Sequence, residues 1–276
     1  MHKLALARIL ALGTAVAFTG ATHSGGPAHP VSVLYAGSLV TPMEGPIKAK
    51  LLDENVDFEG QPGGSKALAH LIAAGLRAPD VFVSVDPTLI ESLGARVASA
   101  TTFAATSLGI AWSSSSRYAE LFNDAAQGKR PLEQALETAG LRIGRTDPRL
   151  DPKGNYTMEA MRIWLGAPGA SRILGDPENP AQIFPEEDLL ARVDTGQADV
   201  GFFYRTEAIA RGYRFLALPG KAALTDRITY TLAVLKDAPH PNEARSFARF
   251  ILTGEGRPIL ERAGLRYLDS PQPLHL

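Results

Sequence analysis

Three turns in the sequence place small, hydrogen-bonding residues where a helix is about to begin: Gly37-Ser38, Gly63-Gly64-Ser65 and Asp151-Pro152-Lys153-Gly154. Glycine has no Cβ, so a ligand can approach its backbone, and the first turn of a helix offers N–H groups that lack intrahelical acceptors. The helix dipole makes that end attractive to anions. A serine hydroxyl adds a neutral donor, and groups of this kind together could hold a dianion without a cationic partner. The competing reading is that each serine only caps its helix, which is the commoner use of the residue there. From the residues alone both readings stand.

Other chemistry is harder to build from this chain. Glu186, Glu187 and Asp188 follow Pro185 at a helix start, where acidic residues favoured by the dipole are the expected reading rather than a metal or acid/base site. His2, His23 and His29 lie near the beginning of the chain, and His70, His240 and His275 are far apart, so none has metal-ligand spacing. Asp147 and Asp151 are separated by Pro148, which makes a loop and prevents a shared helical face. Ser113 to Ser116 sit in no G-x-S-x-G nucleophile elbow, and no P-loop or dinucleotide fingerprint occurs. Catalysis and a bound cofactor are therefore not expected.

The elements that must position the glycine-serine turns alternate along the chain. Val31–Tyr35 reads as a strand running into the Gly37-Ser38 turn, Val56–Glu59 as a second strand, and Lys66–Gly75 as a helix capped by Ser65. Asp80–Val85 is nearly all apolar, as in a sheet covered on both faces, and Asp86-Pro87 starts the next helix. This β-α-β-α-β order predicts a parallel, helix-flanked sheet. A second alternating unit follows: helices at Arg117–Asn123 and Leu132–Ala139, a strand at Arg142–Arg145, helices at Tyr156–Leu165 and Leu189–Asp194, and a strand at Asp199–Tyr204. Ile228–Leu235 reads as a strand that returns the chain, and Asn242–Leu265 as two helices. We therefore expect one lobe from 31–112, a second from 113–215, and a return to the first over 216–276. Ligands of such sheets sit at strand C-terminal ends, here in a cleft between the lobes.

Composition bounds the partners. The 276 residues are 45% hydrophobic and 21% charged, enough for a full core, and the net charge of -1 provides no bulk field for nucleic acid or an anionic membrane. The absence of cysteine excludes disulfides, thiolate sites and a lipidated cysteine anchor. His2, Lys3 and Arg8, the apolar run Ile9–Phe18 and the small residues Thr19-Gly20-Ala21 read as a signal peptide over 1–21, which predicts export to a periplasm.

The order and spacing of several segments carry a resemblance. Leu34-Tyr35-Ala36-Gly37-Ser38-Leu39, Gly63-Gly64-Ser65, Ala78-Pro79-Asp80-Val81-Phe82-Val83-Ser84-Val85-Asp86, the stretch from Gly144 to Gly154, and Asp194-Thr195-Gly196-Gln197-Ala198-Asp199-Val200-Gly201-Phe202-Phe203-Tyr204 together span most of residues 31–265. In these the chain resembles the periplasmic molybdate/tungstate-binding proteins of ABC transporters, particularly the tungstate-type branch. The resemblance implies an α/β, two-lobed type II periplasmic binding protein fold, each lobe a mixed, mostly parallel sheet flanked by helices, with the ligand cleft between lobes. It implies capture of molybdate or tungstate by hinge closure, delivery to an inner-membrane ABC permease, and a monomeric carrier with no cofactor.

Carried onto this chain, the resemblance makes Ser38 and Ser65 hydroxyl and backbone donors from one lobe and Tyr204 a phenol donor from the other. Asp151 matches a carboxylate that approaches the oxyanion's metal, and the backbone around Lys153 and Glu187 completes the shell. One departure stands out: the position before the tyrosine, a second ligating glutamate in the tungstate-type branch, is Phe203 here. A phenyl ring cannot ligate a metal, so a tetrahedral site of hydrogen-bond donors is the expectation. The same fold could take sulfate, phosphate, an organic acid or a ferric complex, and a competition titration separates these.

Overall fold

The protein is described by a computed structural model covering residues 29–274. The signal-peptide reading of 1–21 and His275 lie outside the described residues. Among the described residues eleven strands divide between two mixed sheets, in order β11-β4-β10-β3-β1-β2 and β7-β6-β8-β5-β9. The first holds β1 (His29–Ala36), β2 (Val56–Gly63), β3 (Val81–Ser84), β4 (Val97–Ala105), β10 (Thr229–Leu235) and β11 (Arg266–Pro273). The second holds β5 (Leu108–Trp112), β6 (Ile143–Thr146), β7 (Ile183–Phe184), β8 (Val200–Tyr204) and β9 (Arg214–Ala217). The expected two-lobed α/β architecture is thus observed. One element moves: Leu108–Trp112, which the sequence reading grouped with the first lobe, pairs with β8 and β9 in the second sheet.

Both sheets are mixed, as expected, but neither is mostly parallel: parallel pairing is confined to one half of each, because the strands that return the chain between the lobes enter antiparallel. β1 lies parallel to both β2 and β3, and β6 parallel to both β7 and β8, while β4, β5, β9, β10 and β11 make antiparallel ladders. Side-chain alternation explains how β1 is covered on both faces. Val31, Val33 and Tyr35 enter the main core, while Leu34 turns to the opposite side with Phe82, Leu68 and Ile72. The crossover from β1 to β2 is helical and buries Leu39, Met43, Ile47 and Leu51 at intervals of four residues. Gly45 and Pro46 open a π turn within it.

In the second lobe the helix expected over Tyr156–Leu165 runs from Pro152 to Leu174 through a break at Gly166, where φ is 70°. It starts early because Asp151 caps it, accepting from the Lys153 N–H at 2.9 Å, and Pro152 suits the first helical position. Asp199 anchors the start of β8. It accepts from the Arg142 and Arg117 guanidinium groups and from the Arg142 N–H. Burial would raise its pKa, but these donors outweigh that and bring it to about 2.

Among the described residues two connections join the lobes, a short one between β4 and β5 and a longer one between β9 and β10. They touch where the Thr106 N–H donates to the Ile228 carbonyl at 3.0 Å. One contiguous buried cluster, including Leu108, Tyr204 and Tyr230, runs through both lobes at this junction.

Candidate functional site

The parallel halves of the two sheets aim their C-terminal strand ends at each other. In the first lobe Ala36 pairs with Gly63, so the turns after β1 and β2 stand side by side and bring Gly37-Ser38 next to Gly64-Ser65. In the second, β7, β6 and β8 end in the same direction and lead into Glu186, the Asp151 loop and Tyr204. The two glycines mark how closely the lobes meet. A methyl group on Gly64 would fall 2.9 Å from the Leu150 carbonyl oxygen, and one on Gly37 would fall 2.7 Å from Glu186 Oε2. Only a residue without Cβ allows these approaches.

The first lobe offers hydroxyls. Ser38 Oγ lies 2.9 Å from the Tyr230 hydroxyl, in a pair where either oxygen can donate. Ser65 is not the helix cap that the bland reading made it: the helix Ser65–Ala73 has Gly64 at its N-cap, and Ser65 Oγ instead accepts from the Val85 N–H at 3.3 Å. Accepting that bond leaves the Ser65 O–H able to donate. Both serines are buried.

The second lobe supplies the charge. Lys153 is fully buried, and its ammonium donates to Glu207 Oε1 and lies 3.6 Å from Glu186 Oε1. It also sits about equally over the rings of Phe203 and Tyr204, 5.5 and 5.4 Å from their centroids. Burial alone would push the Lys153 pKa down, but the carboxylates of Glu207, Glu186 and Asp151 more than reverse this and hold the amine charged. Burial pushes the Glu207 carboxyl up, against the pull of Lys153. Glu207 Oε2 accepts from the Tyr204 N–H at 2.8 Å, which satisfies the backbone donor at the start of the helix Arg205–Arg211.

Tyr204 is fully buried, and its hydroxyl has no hydrogen-bond partner among the described residues. Burial, reinforced by Asp151, Tyr156 and Tyr230 nearby, raises its pKa well above that of an ordinary phenol, so the group is a neutral donor. Phe203, one residue earlier, packs away from it with Tyr213, Leu189 and Ala208, as alternation along β8 requires.

The structure therefore brings Ser38, Ser65, Asp151, Lys153 and Tyr204 to one cleft. It changes two assignments. The Lys153 N–H is occupied by Asp151, and its ammonium is committed to Glu207 and Glu186. Glu186, read from sequence as a dipole-favouring first-turn residue, carries its carboxylate to Gly37 of the opposite lobe. The side chain of Glu187 lies outside the described residues. Glu207 was missed altogether; its signal was the spacing Tyr204-x-x-Glu207 at a helix start. Beside the cleft a cavity of about 210 Å³ is lined by Gly64 and Ala67 from one lobe and by Asp147, Leu150, Asp151 and residues 183–186 from the other. Among the described residues no His, Cys, Asp and Glu cluster has the makings of a metal site, and no helix is long and apolar enough to cross a membrane.

Comparison with known proteins places this geometry. Residues 31–266 match the family described as bacterial extracellular solute-binding protein. A solute-binding protein of Halobacterium salinarum is 31% identical, with 94% of this chain and 92% of that protein aligned. The molybdate/tungstate-binding protein WtpA of Pyrococcus abyssi is 24% identical over 91% of this chain and 88% of its own. Among solved structures, the periplasmic molybdate-binding protein of Azotobacter vinelandii superposes with a TM-score of 0.67 at 19% identity, covering 88% of this chain and all (100%) of that one.

Proposed function

The chain belongs to the bacterial extracellular solute-binding proteins, and from that premise we propose that it captures a tetrahedral oxyanion, molybdate or tungstate, outside the cytoplasm and delivers it to an ABC permease. The observation that carries the reading is the Tyr204 hydroxyl, buried and without a partner among the described residues, in a cleft whose other wall presents Ser38 and Ser65. A buried donor left unpaired is costly, and an oxyanion bridging the lobes would satisfy it. The ring is neutral, as the two serines are, so the donors attract the anion by hydrogen bonding and not by net charge. Relatives with molybdate- or tungstate-binding names support the choice of ligand. Asp151, already committed through one oxygen to the Lys153 N–H, orders the loop that closes on the ligand. Glu187 is retained as a contributor to the shell through its position on the helix Glu186–Asp194.

Isothermal titration of ligand-stripped protein with molybdate, tungstate, sulfate and phosphate tests this. Tight binding of molybdate and tungstate with much weaker sulfate is expected. Heat from none of the four overturns the oxyanion reading and turns the search to organic anions and metal complexes.

A further inference from the structure

Glu186 sits where an anion entering the cleft would have to go. It opens the helix Glu186–Asp194 at the end of β7, yet its carboxylate reaches the opposite lobe. A Cβ on Gly37 would fall 2.7 Å from its Oε2, 2.9 Å from its Cδ and 3.3 Å from its Oε1. Only the absence of a side chain at residue 37 makes room for the carboxylate there. The same group lies 3.6 Å from the Lys153 ammonium and is 8% exposed, so it is both held and largely dry. On the oxyanion reading, Gly37 is also the glycine that would let a ligand reach the backbone beside Ser38. Two anions cannot share that place: at such distances in a poorly hydrated cleft like charges repel strongly. Asp151 and Glu207 add further negative charge around the single Lys153 amine.

We propose that Glu186 is a specificity-determining residue: its carboxylate is a tethered occupant of the anion seat at Gly37, and an incoming oxyanion binds only by displacing it. This rests on the oxyanion reading and extends it. The tether sets a threshold. An anion that hydrogen-bonds the seat more strongly than a carboxylate does gains entry, and one held weakly does not, so discrimination comes from competition inside the protein as well as from the fit of the donors. The displaced side chain has somewhere to go, since Glu186 also borders the cavity of about 210 Å³ shared by the two lobes. While the carboxylate rests on Gly37 it links the lobes, which favours the closed arrangement.

The test compares wild-type protein with Glu186→Ala and the isosteric Glu186→Gln, titrating tungstate and sulfate and recording the radius of gyration of ligand-free protein by small-angle scattering. Removing the charge is expected to tighten tungstate binding roughly tenfold and sulfate by more, so that the preference between them narrows. Ligand-free Glu186→Ala is expected to be more expanded than wild type. Unchanged or weaker affinity in both variants overturns the proposal. If wild-type protein binds neither anion, the oxyanion reading itself has failed. The scattering comparison then still decides whether Glu186 bridges the lobes, and equal radii overturn that as well. Glu186→Gln guards against misfolding in the alanine variant, because it keeps the packing and removes only the charge.

Discussion

The two walls of the cleft are built from opposite materials. The first lobe presents glycines, Ser38 and Ser65, all uncharged, at the ends of β1 and β2. The second presents Lys153, Glu186, Glu207 and Asp151, each buried and tied to its neighbours, with Tyr204 among them. A wall of neutral donors can hold an anion without internal conflict. A wall with more carboxylates than ammonium groups cannot, unless its charges are already committed to one another. Under the proposed function, the difference gives the walls separate tasks: the first lobe would bind, and the second would hold its own structure while contributing one phenol and a set of constraints on what enters.

The sharpest way to break this division is to disturb the charge. Lys153→Met leaves Glu207 buried without its cation, and we expect a loss of about 3–5 kcal/mol in stability, the cost of stranding a buried charge, measured by urea denaturation. Adding Glu207→Leu should recover much of that loss. If Lys153→Met were harmless, the second wall would not be a structural unit. Ser38→Ala with Ser65→Ala addresses the other wall. Affinity for molybdate should fall by roughly 1.5–3 kcal/mol, about tenfold to a hundredfold, while stability changes by about 1 kcal/mol because few bonds within the fold are lost. Unchanged affinity would remove the first lobe from the site.

Tyr204→Phe separates the phenol from the wall that holds it. Binding should weaken by about 1–2 kcal/mol in the same titration, with stability equal or slightly higher, since the hydroxyl bonds to nothing among the described residues. The smallest effect concerns acid. Asp199 has a folded pKa of about 2, below its ordinary 3.8, so its contribution is fully present above pH 4 and is lost as the pH falls through 2. Its arginine partners are half exposed, and that contribution should be about 1 kcal/mol. Asp199→Asn should flatten the corresponding part of a stability profile between pH 5 and pH 2 without touching oxyanion affinity.

Much of the first wall was legible in the sequence. Alternating apolar residues announce β1, and the glycine-serine turns stand out because no other residue types serve both a tight turn and a close approach. Tyr204 emerged through the resemblance rather than through its own neighbourhood, and Asp151, whose turn the residues themselves single out, took its role from it. The second wall was largely illegible, for a physical reason. A glutamate in the first turn of a helix is favoured by the dipole whether or not it points across a cleft, so Glu186 and Glu207 look the same as solvent-facing residues until the opposite lobe is in place. β4 and β11 escaped notice for a different reason: Val97–Ala105 alternates small and polar residues, and Arg266–Pro273 is mostly exposed at a sheet edge. Membership of β5 in the second sheet depends on antiparallel pairing with strands that lie about a hundred residues downstream, which no local pattern encodes.

The bond from the Thr106 N–H to the Ile228 carbonyl has a mechanical consequence. Both connections between the lobes pass through that one place, so a rotation of one lobe against the other would pivot there. Displacement then grows with distance from the pivot. Gly64 and Leu150, which meet across the cleft, would part on such a turn, while the core around Leu108 and Tyr230 would hardly shift. The protein can thus trade a small torsion in a few backbone angles for a wide mouth, and backbone amide exchange should be slowest at the pivot and fastest at the rim.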